Sequence, residues 1–186
     1  MMRSVHFKDK ILEVSAVIFN LLYTIFYLND SVWCYLFGIV GPLLFILLCL
    51  RKKLYAEPIL QMFYIGFALY GYLTVGEEWT TIHWSFYHHL PYLIAGVVVF
   101  IIAGYSLRKK TDAKLPYLDS LVTVFGIIGT WMMVNYVHEN WLYFIAINAI
   151  SIFIYFNRQL YLGGIMFIIY FIMACDGYFT LGIFSS

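Results

Sequence analysis

The chain has 186 residues, of which 63% are hydrophobic and 11% are charged, and its mean hydropathy is +0.85. A soluble globular domain carries about 25% charged residues, so this composition indicates a protein embedded in lipid. The net charge of +1, with no basic binding face, does not indicate a nucleic-acid partner. The three cysteines lie within apolar runs, which is typical of buried thiols rather than of disulfides or a metal site.

Seven apolar stretches match the roughly 20 residues that a helix needs to cross a bilayer. The first is too long for the apolar part of a signal peptide, and no small-residue cleavage site follows it. None of the seven alternates polar and apolar residues as a membrane β-barrel strand does. We therefore predict an all-α membrane protein in a single domain, with spans at residues 11–28, 33–50, 58–75, 91–107, 117–137, 141–156 and 160–183.

The basic residues all fall on one side when the chain is threaded through these seven spans. The opposite side holds residues 76–90, a long connection whose aromatic and polar residues suit the headgroup level. The positive-inside rule then predicts a cytoplasmic N-terminus and an external C-terminus. The Lys and Arg residues are Arg3, Lys8, Lys10, Arg51, Lys52, Lys53, Arg108, Lys109, Lys110, Lys114 and Arg158.

Residues 54–76 are repeated at 160–182 without a gap, at an offset of 106 residues. The same offset pairs Leu12 with Leu118 and Thr24 with Thr130, whereas Trp33 and Trp141, which open the middle helices, match at 108. We expect two parallel three-helix repeats, residues 11–75 and 117–183, joined by a linker helix at 91–107 that restores the direction of the second. In this 3+1+3 arrangement a substrate site lies between the repeats. Matched pairs in the third helices include Leu54/Leu160, Tyr55/Tyr161, Tyr64/Tyr170, Ala68/Ala174 and Gly71/Gly177.

A few polar groups within the spans are candidates for function, because such groups are costly in lipid. Gln61 and Asn148 suit either substrate contact or interhelical hydrogen bonding. Glu13 and Asp119 open the first helix of each repeat, where an acid stabilises the helix dipole or belongs to a cytoplasmic gate. Pro42 permits a kink in the second span, either as a passive bend or as a pivot for gating.

Aromatic residues make up 21% of the chain, so some of them are expected to face the pore. Aromatic faces with a few amides suit a flat heterocycle attached to a sugar, because the ring stacks and the amides bind hydroxyl groups. No cluster of Lys or Arg lies within the spans to hold a phosphate. The candidate substrate contacts are Gln61, Tyr64, Phe144 and Asn148, followed by Trp131 and Tyr170.

Residues 54–64, Leu-Tyr-Ala-Glu-Pro-Ile-Leu-Gln-Met-Phe-Tyr, resemble the signature of the PnuC-type nicotinamide riboside transporters, and residues 115–119 and 141–155 resemble their second half. The resemblance implies a SWEET-like fold and facilitated diffusion of a vitamin-like riboside across a bacterial inner membrane, with trapping by a separate kinase. The family's sixth helix commonly offers Trp and, four residues later, Asn to the substrate; this chain has Phe144 and Asn148 there. Thiamine and riboflavin importers resemble the same family and remain alternatives.

Other classes of function find less support in the sequence. The spans contain no Lys for a retinal Schiff base, and the chain has no H-E-x-x-H, G-x-S-x-G or P-loop motif. We therefore expect neither an enzyme nor an ATP-driven pump, and no cofactor or metal. A seven-helix receptor, a binding subunit of a larger transporter and a homo-oligomer stay open.

Overall fold

A computed structural model describes residues 2–28, 31–74, 80–181 and 183, with the side chains of residues 2–8, 27 and 28 outside that description. Seven α-helices occur within these ranges, as the sequence predicts. Five of them, α2, α4, α5, α6 and α7, are long and apolar enough to cross a membrane. The helices are α1 (Met2–Leu28), α2 (Trp33–Arg51), α3 (Glu57–Leu73), α4 (Phe86–Lys110), α5 (Pro116–Val134), α6 (Asn140–Asn157) and α7 (Tyr161–Phe179).

The helix boundaries differ most from the predicted spans in α1, which begins at Met2 rather than at residue 11, and in α4, α5 and α7. α4 is longer than its predicted span, 91–107, at both ends. α5 and α7 end earlier than predicted, because the chain turns at Tyr136 and Thr180, whose φ angles are 56° and 51°. A non-glycine residue with such a positive φ interrupts a right-handed helix. Of the predicted outer loop, residues 75–79 lie outside the described part, and 86–90 already belong to α4.

Six helices form a ring, and the seventh lies outside it. Helices adjacent in sequence pack together within α1–α2–α3 and within α5–α6–α7, while α3–α5 and α1–α7 contacts close the ring. Within the described ranges α4 packs mainly against α5, and its His89 Nδ1 also lies 3.2 Å from the Tyr143 hydroxyl of α6. Only 11% of its most apolar stretch is buried. The buried core includes Phe45, Leu48, Tyr155 and Leu160. α4 therefore has the largest lipid-compatible surface.

One end of the bundle collects the charged turns. Asp9 of α1 lies 3.5 Å from the Lys52 ammonium in the α2–α3 turn. Lys53 in the same turn pairs with Asp112 in the α4–α5 turn. Arg158, which follows α6, donates a 2.6 Å hydrogen bond to the Lys52 carbonyl. The beginning of α1 and three of the turns therefore meet at the basic end of the bundle.

The opposite end carries the remaining turns. Ile82 forms an isolated parallel bridge with the α5–α6 turn, through a 2.9 Å bond from its N–H to the Tyr136 carbonyl and a 2.9 Å bond from the His138 N–H to its carbonyl. The His138 ring stacks on Tyr178 near the end of α7, with centroids 5.6 Å apart. Because α1 begins at the basic end and α7 finishes at this one, the described chain crosses the bundle an odd number of times.

Backbone geometry recurs at the 106-residue offset. Lys53 and Gln159, which follow α2 and α6, both have φ = 60°. The Cys49 sulfur and the Tyr155 hydroxyl, 106 residues apart, approach to 3.6 Å. Two residues at equivalent positions of a repeat can contact each other only if the rotation axis that relates the two halves passes close to both. These contacts are what a pseudo-twofold relation between the halves requires.

The middle helices match at the same offset, which corrects one detail of the alignment. A Cβ atom on Gly71 would lie 3.0 Å from the Tyr35 ring, and one on Gly177 would lie 2.5 Å from the Trp141 ring. Tyr35, rather than Trp33, is therefore the counterpart of Trp141. Trp33 is 63% exposed and makes no equivalent contact. The predicted offset of 108 is wrong, and no two-residue slip is needed.

Candidate functional site

An internal cavity of about 600 Å³ lies inside the ring of six helices. Its volume falls within the range of roughly 300–1,000 Å³ that is usual for small-molecule sites. All six ring helices contribute to its wall, and α4 does not. Five of the predicted contacts line it: Gln61, Tyr64, Phe144, Asn148 and Tyr170.

Trp131, the sixth predicted contact, lines a different cavity. It is 48% exposed and lies in a more open space of about 910 Å³ at the outer ends of α3 and α5. Its neighbour Thr130 faces the internal cavity instead and donates a 2.7 Å bond to the Gly126 carbonyl. Consecutive helical residues point about 100° apart, so the inward position of Thr130 turns Trp131 away from the internal cavity.

Glu57 and Gln61 form a polar pair in the cavity wall, one helical turn apart on α3. They are 4% and 5% exposed, and the Gln61 amide donates a 3.2 Å hydrogen bond to a Glu57 oxygen. The Gln61 carbonyl oxygen is buried and has no hydrogen-bond partner among the described residues. A buried, unpartnered acceptor in a cavity wall is a position at which a ligand donor is stabilising. Glu57 is not among the contacts predicted from the sequence, although its i, i+4 spacing from Gln61 places both on one helix face.

Phe144 and Asn148 lie one turn apart on the cavity side of α6. Asn148 is 6% exposed and forms no hydrogen bond with another described residue, so it does not act as a polar link between helices. The Phe144 ring lies against α5 at Gly129, where a Cβ atom would be 3.7 Å away. It also contacts Trp141 edge-on, with centroids 6.4 Å apart. The wall therefore presents an aromatic ring beside a free amide.

Tyr170 links α7 to α1 at the cavity wall. Its hydroxyl donates a 3.2 Å bond to the Asn20 carbonyl and lies 3.4 Å from the Thr24 hydroxyl. The Asn20 side chain donates within its own helix to the Ala16 carbonyl at 2.9 Å. Asn20 is therefore occupied locally. Tyr64, the repeat counterpart of Tyr170, has its hydroxyl within reach of Thr130.

Glu13 and Asp119, the predicted caps or gate residues, each cap a helix of the opposite half. Glu13 of α1 accepts hydrogen bonds from the start of α7, and Asp119 of α5 accepts them from the start of α3. Free N–H groups at a helix start are stabilised by such acceptors. The bonds run to Glu13 Oε1 from the N–H of Leu162 (2.9 Å) and Gly163 (3.1 Å), and to Asp119 Oδ2 and Oδ1 from the N–H of Ala56 (3.0 Å) and Glu57 (3.1 Å).

The two halves of the chain contribute different side chains to the cavity wall, although their helices correspond in pairs. Four buried polar wall residues have no polar counterpart 106 residues away. Pro42, the predicted gating residue, also lines the cavity, and it is the residue of the first repeat that corresponds to Asn148. The pairs are Glu57 with Gly163, Gln61 with Phe167, Asn148 with Pro42 and Ser151 with Phe45. These four buried polar groups therefore occur only once in the described cavity wall.

At the end of the bundle opposite the basic turns, Glu139 organises the connection to α4. It accepts a 2.9 Å bond from the Trp84 N–H and lies 3.1 Å from His83 Nδ1. Burial raises the pKa of this carboxyl, but the hydrogen bonds outweigh burial and leave the pKa below its ordinary value. Within the described part, no group of three or more His, Cys, Asp or Glu residues that could hold a metal occurs.

Apolar helices around a partly polar cavity of this size are the arrangement expected of a membrane transporter for a small molecule. The family model of the nicotinamide mononucleotide transporters matches residues 10–180. The chain therefore belongs to this family, whose members are transporters rather than enzymes.

Two curated relatives and one solved structure agree with this assignment. The nicotinamide riboside transporters PnuC of Escherichia coli (strain K12) and Shigella flexneri are each 25% identical to the chain, over 77% of it and 73% of their own length. The crystal structure of the vitamin B3 transporter PnuC superposes with a TM-score of 0.72 at 21% identity, covering 95% of this chain and 84% of that one. The all-α membrane fold with seven helices that the sequence predicts is thereby confirmed.

Proposed function

We propose that the protein takes up nicotinamide riboside by facilitated diffusion across the bacterial inner membrane. The main observation behind this proposal is the charge of the cavity wall. The described residues of its lining include no Lys, Arg or His, so the phosphate of a mononucleotide would be buried there without a counter-charge. A riboside lacks that phosphate, and the riboside is the cargo named for the curated relatives.

In the proposed binding mode, the pyridine ring stacks on Phe144 and the Asn148 amide bonds to a polar group of the ligand. The unpartnered Gln61 carbonyl oxygen accepts from a ligand N–H or O–H group. Tyr64 and Tyr170 flank the site from α3 and α7. Trp131 acts earlier in the path, because it lines the outer cavity rather than the internal one.

The proposed architecture is 3+1+3. Residues 11–75 and 117–183 form two parallel repeats, and α4, which contains residues 91–107, is the linker. The matching backbone at Lys53 and Gln159 supports this division. The collection of basic turns at one end of the bundle supports a cytoplasmic position for that end and for the N-terminus.

The proposed cytoplasmic gate depends on the two reciprocal caps. Glu13 and Asp119 connect the two halves next to the basic turns, so that separation of the halves at this end must break their bonds. Pro42 lies in the cavity wall on α2, where it is the proposed hinge. Each cap combines buried charge with two backbone donors, which makes opening a discrete event rather than a gradual one.

Uptake by purified protein in liposomes tests this function. We expect saturable uptake of labelled nicotinamide riboside that survives dissipation of proton and sodium gradients. Competition of thiamine or riboflavin with the labelled riboside tests whether either vitamin is the cargo instead. Collapse of uptake with either gradient would contradict facilitated diffusion, and failure of the purified protein to move any of the three would favour a binding subunit.

A further inference from the structure

Of the described residues that line the internal cavity, Glu57 is the only charged one. Its side chain is almost entirely buried, and within the described residues it forms no ion pair. Its hydrogen-bond partner is the neutral amide of Gln61. A buried carboxylate is costly unless a positive group faces it, and the cavity wall does not supply one.

The start of α3 does not explain why an acid stands here. A carboxylate in the first turn of a helix is stabilised by the helix dipole, but Asp119 already caps this helix with two hydrogen bonds. Asp119 is also a second negative group close to Glu57, which makes the charge of Glu57 more costly rather than less.

The repeat supplies an internal control for the same position. α7 begins with the same kind of cap, from Glu13, yet it has Gly163 where α3 has Glu57, and no acidic residue in its first turn. One half of the protein therefore builds this helix start without a carboxylate. The acid in the other half is therefore not required by the cap, and its position in the cavity wall places it against the cavity contents.

We propose that Glu57 selects for positive charge on the cargo, as the counter-ion of a monocationic heterocycle, while Gln61 accepts a hydrogen bond from the same ligand. This inference rests on the proposed function, because the pyridinium ring of nicotinamide riboside carries one positive charge. The carboxylate balances that charge, and a neutral heterocycle of the same shape leaves it unbalanced.

Calorimetric titration of the purified, full-length protein tests the proposal with two ligands of nearly the same shape. Nicotinamide riboside is cationic, and its dihydro form, reduced at the pyridine ring, is neutral. Wild-type protein is expected to bind the cation at least about tenfold more tightly, since hydrogen bonds to a charged group contribute about 1.5–3 kcal/mol. Equal affinity of wild-type protein for the two forms would overturn the proposal without any variant.

The variant Glu57→Gln keeps the shape and the hydrogen bond with Gln61 but removes the charge. We expect its Kd for the cation to rise about 10- to 100-fold, while its Kd for the dihydro form stays within about threefold of the wild-type value. Binding of the neutral form also shows that the variant is folded. Asp112→Asn, which removes an exposed carboxylate at the basic end of the bundle, is the matched control and should bind both ligands normally.

The outcomes separate the two proposals. If wild-type protein binds neither form, the riboside assignment fails. If wild-type protein and Glu57→Gln bind the cation equally well, the riboside remains the cargo and Glu57 is only a structural acid. A parallel loss of both ligands in the variant, with an unchanged unfolding temperature, would likewise contradict charge selection, because the defect would then not follow the ligand charge.

Discussion

The two reciprocal caps have different hydrogen-bond geometry, and this difference predicts unequal costs for the same chemical change. Glu13 uses one oxygen, Oε1, for both backbone N–H groups of α7. Asp119 uses both oxygens, one for each N–H group of α3. An amide has one acceptor oxygen and one donor nitrogen. Glu13→Gln can therefore keep both bonds, whereas Asp119→Asn must turn its NH₂ group toward one of the donors.

The magnitudes follow from this count. Glu13→Gln loses only the charge-assisted part of its bonds with the helix start, about 1 kcal/mol. Asp119→Asn loses that part and also leaves one buried N–H group facing another donor, for a total of about 3 kcal/mol. For a protein of this size about 2–4 °C of melting temperature corresponds to each kcal/mol, so we expect decreases of about 3 °C and 9 °C.

Tryptophan fluorescence during heating in detergent measures both melting temperatures under one set of conditions. The double variant should show a decrease near the sum, because the caps belong to different helices and do not touch. Equal decreases for the two single variants, or a larger one for Glu13→Gln, would refute the hydrogen-bond geometry from which the prediction is worked.

Three further predictions concern transport, binding and pH. Asn148→Leu should abolish measurable riboside binding while the melting temperature stays within a few degrees; retained affinity would mean that this amide does not contact the cargo. An inside-negative potential of about 60 mV, set with valinomycin and potassium, should concentrate the cationic riboside about tenfold and leave the dihydro form unaffected. Hydrogen bonds from Lys53 and Tyr55 lower the pKa of Asp112. The contribution of this exposed contact to stability is therefore complete above the ordinary Asp pKa and is lost as the pH falls through the lowered pKa. Asp112→Asn should change the melting temperature by less than about 2 °C, and equally at about pH 6 and pH 8.

The helices and the repeat could be predicted from the sequence, because each produces a recognisable composition or a recurring spacing of residues. Apolar runs of fixed length identify spans, and pairs such as Tyr64 and Tyr170 identify the offset. The site was predicted less completely. Trp131 was expected at the cargo, but nothing in an almost uniformly apolar helix distinguishes the face toward the cavity from the face toward lipid. Only the neighbouring helices decide that orientation.

Glu57 and the caps of the opposite half were missed for a related reason. Glu57 stands at a helix start, where a carboxylate has an ordinary local explanation, so its position in the cavity wall has no signature in the local pattern. Glu13 and Asp119 had the same local explanation, yet their bonds go to helices about 150 and 60 residues away in sequence. Contacts between distant segments depend on the ring closure by α3–α5 and α1–α7.

The duplicated chain and the single site are consistent with each other. A twofold frame is built from paired contacts, and residues that maintain the frame are expected to recur, as Tyr35 with Gly71 and Trp141 with Gly177 do. A ligand without twofold symmetry cannot contact both halves identically, so the residues that bind it are expected to lack a matching partner. Glu57, Gln61 and Asn148 are unmatched in this way, whereas Tyr64 and Tyr170, which flank the proposed site, are a matched pair and belong equally to the frame.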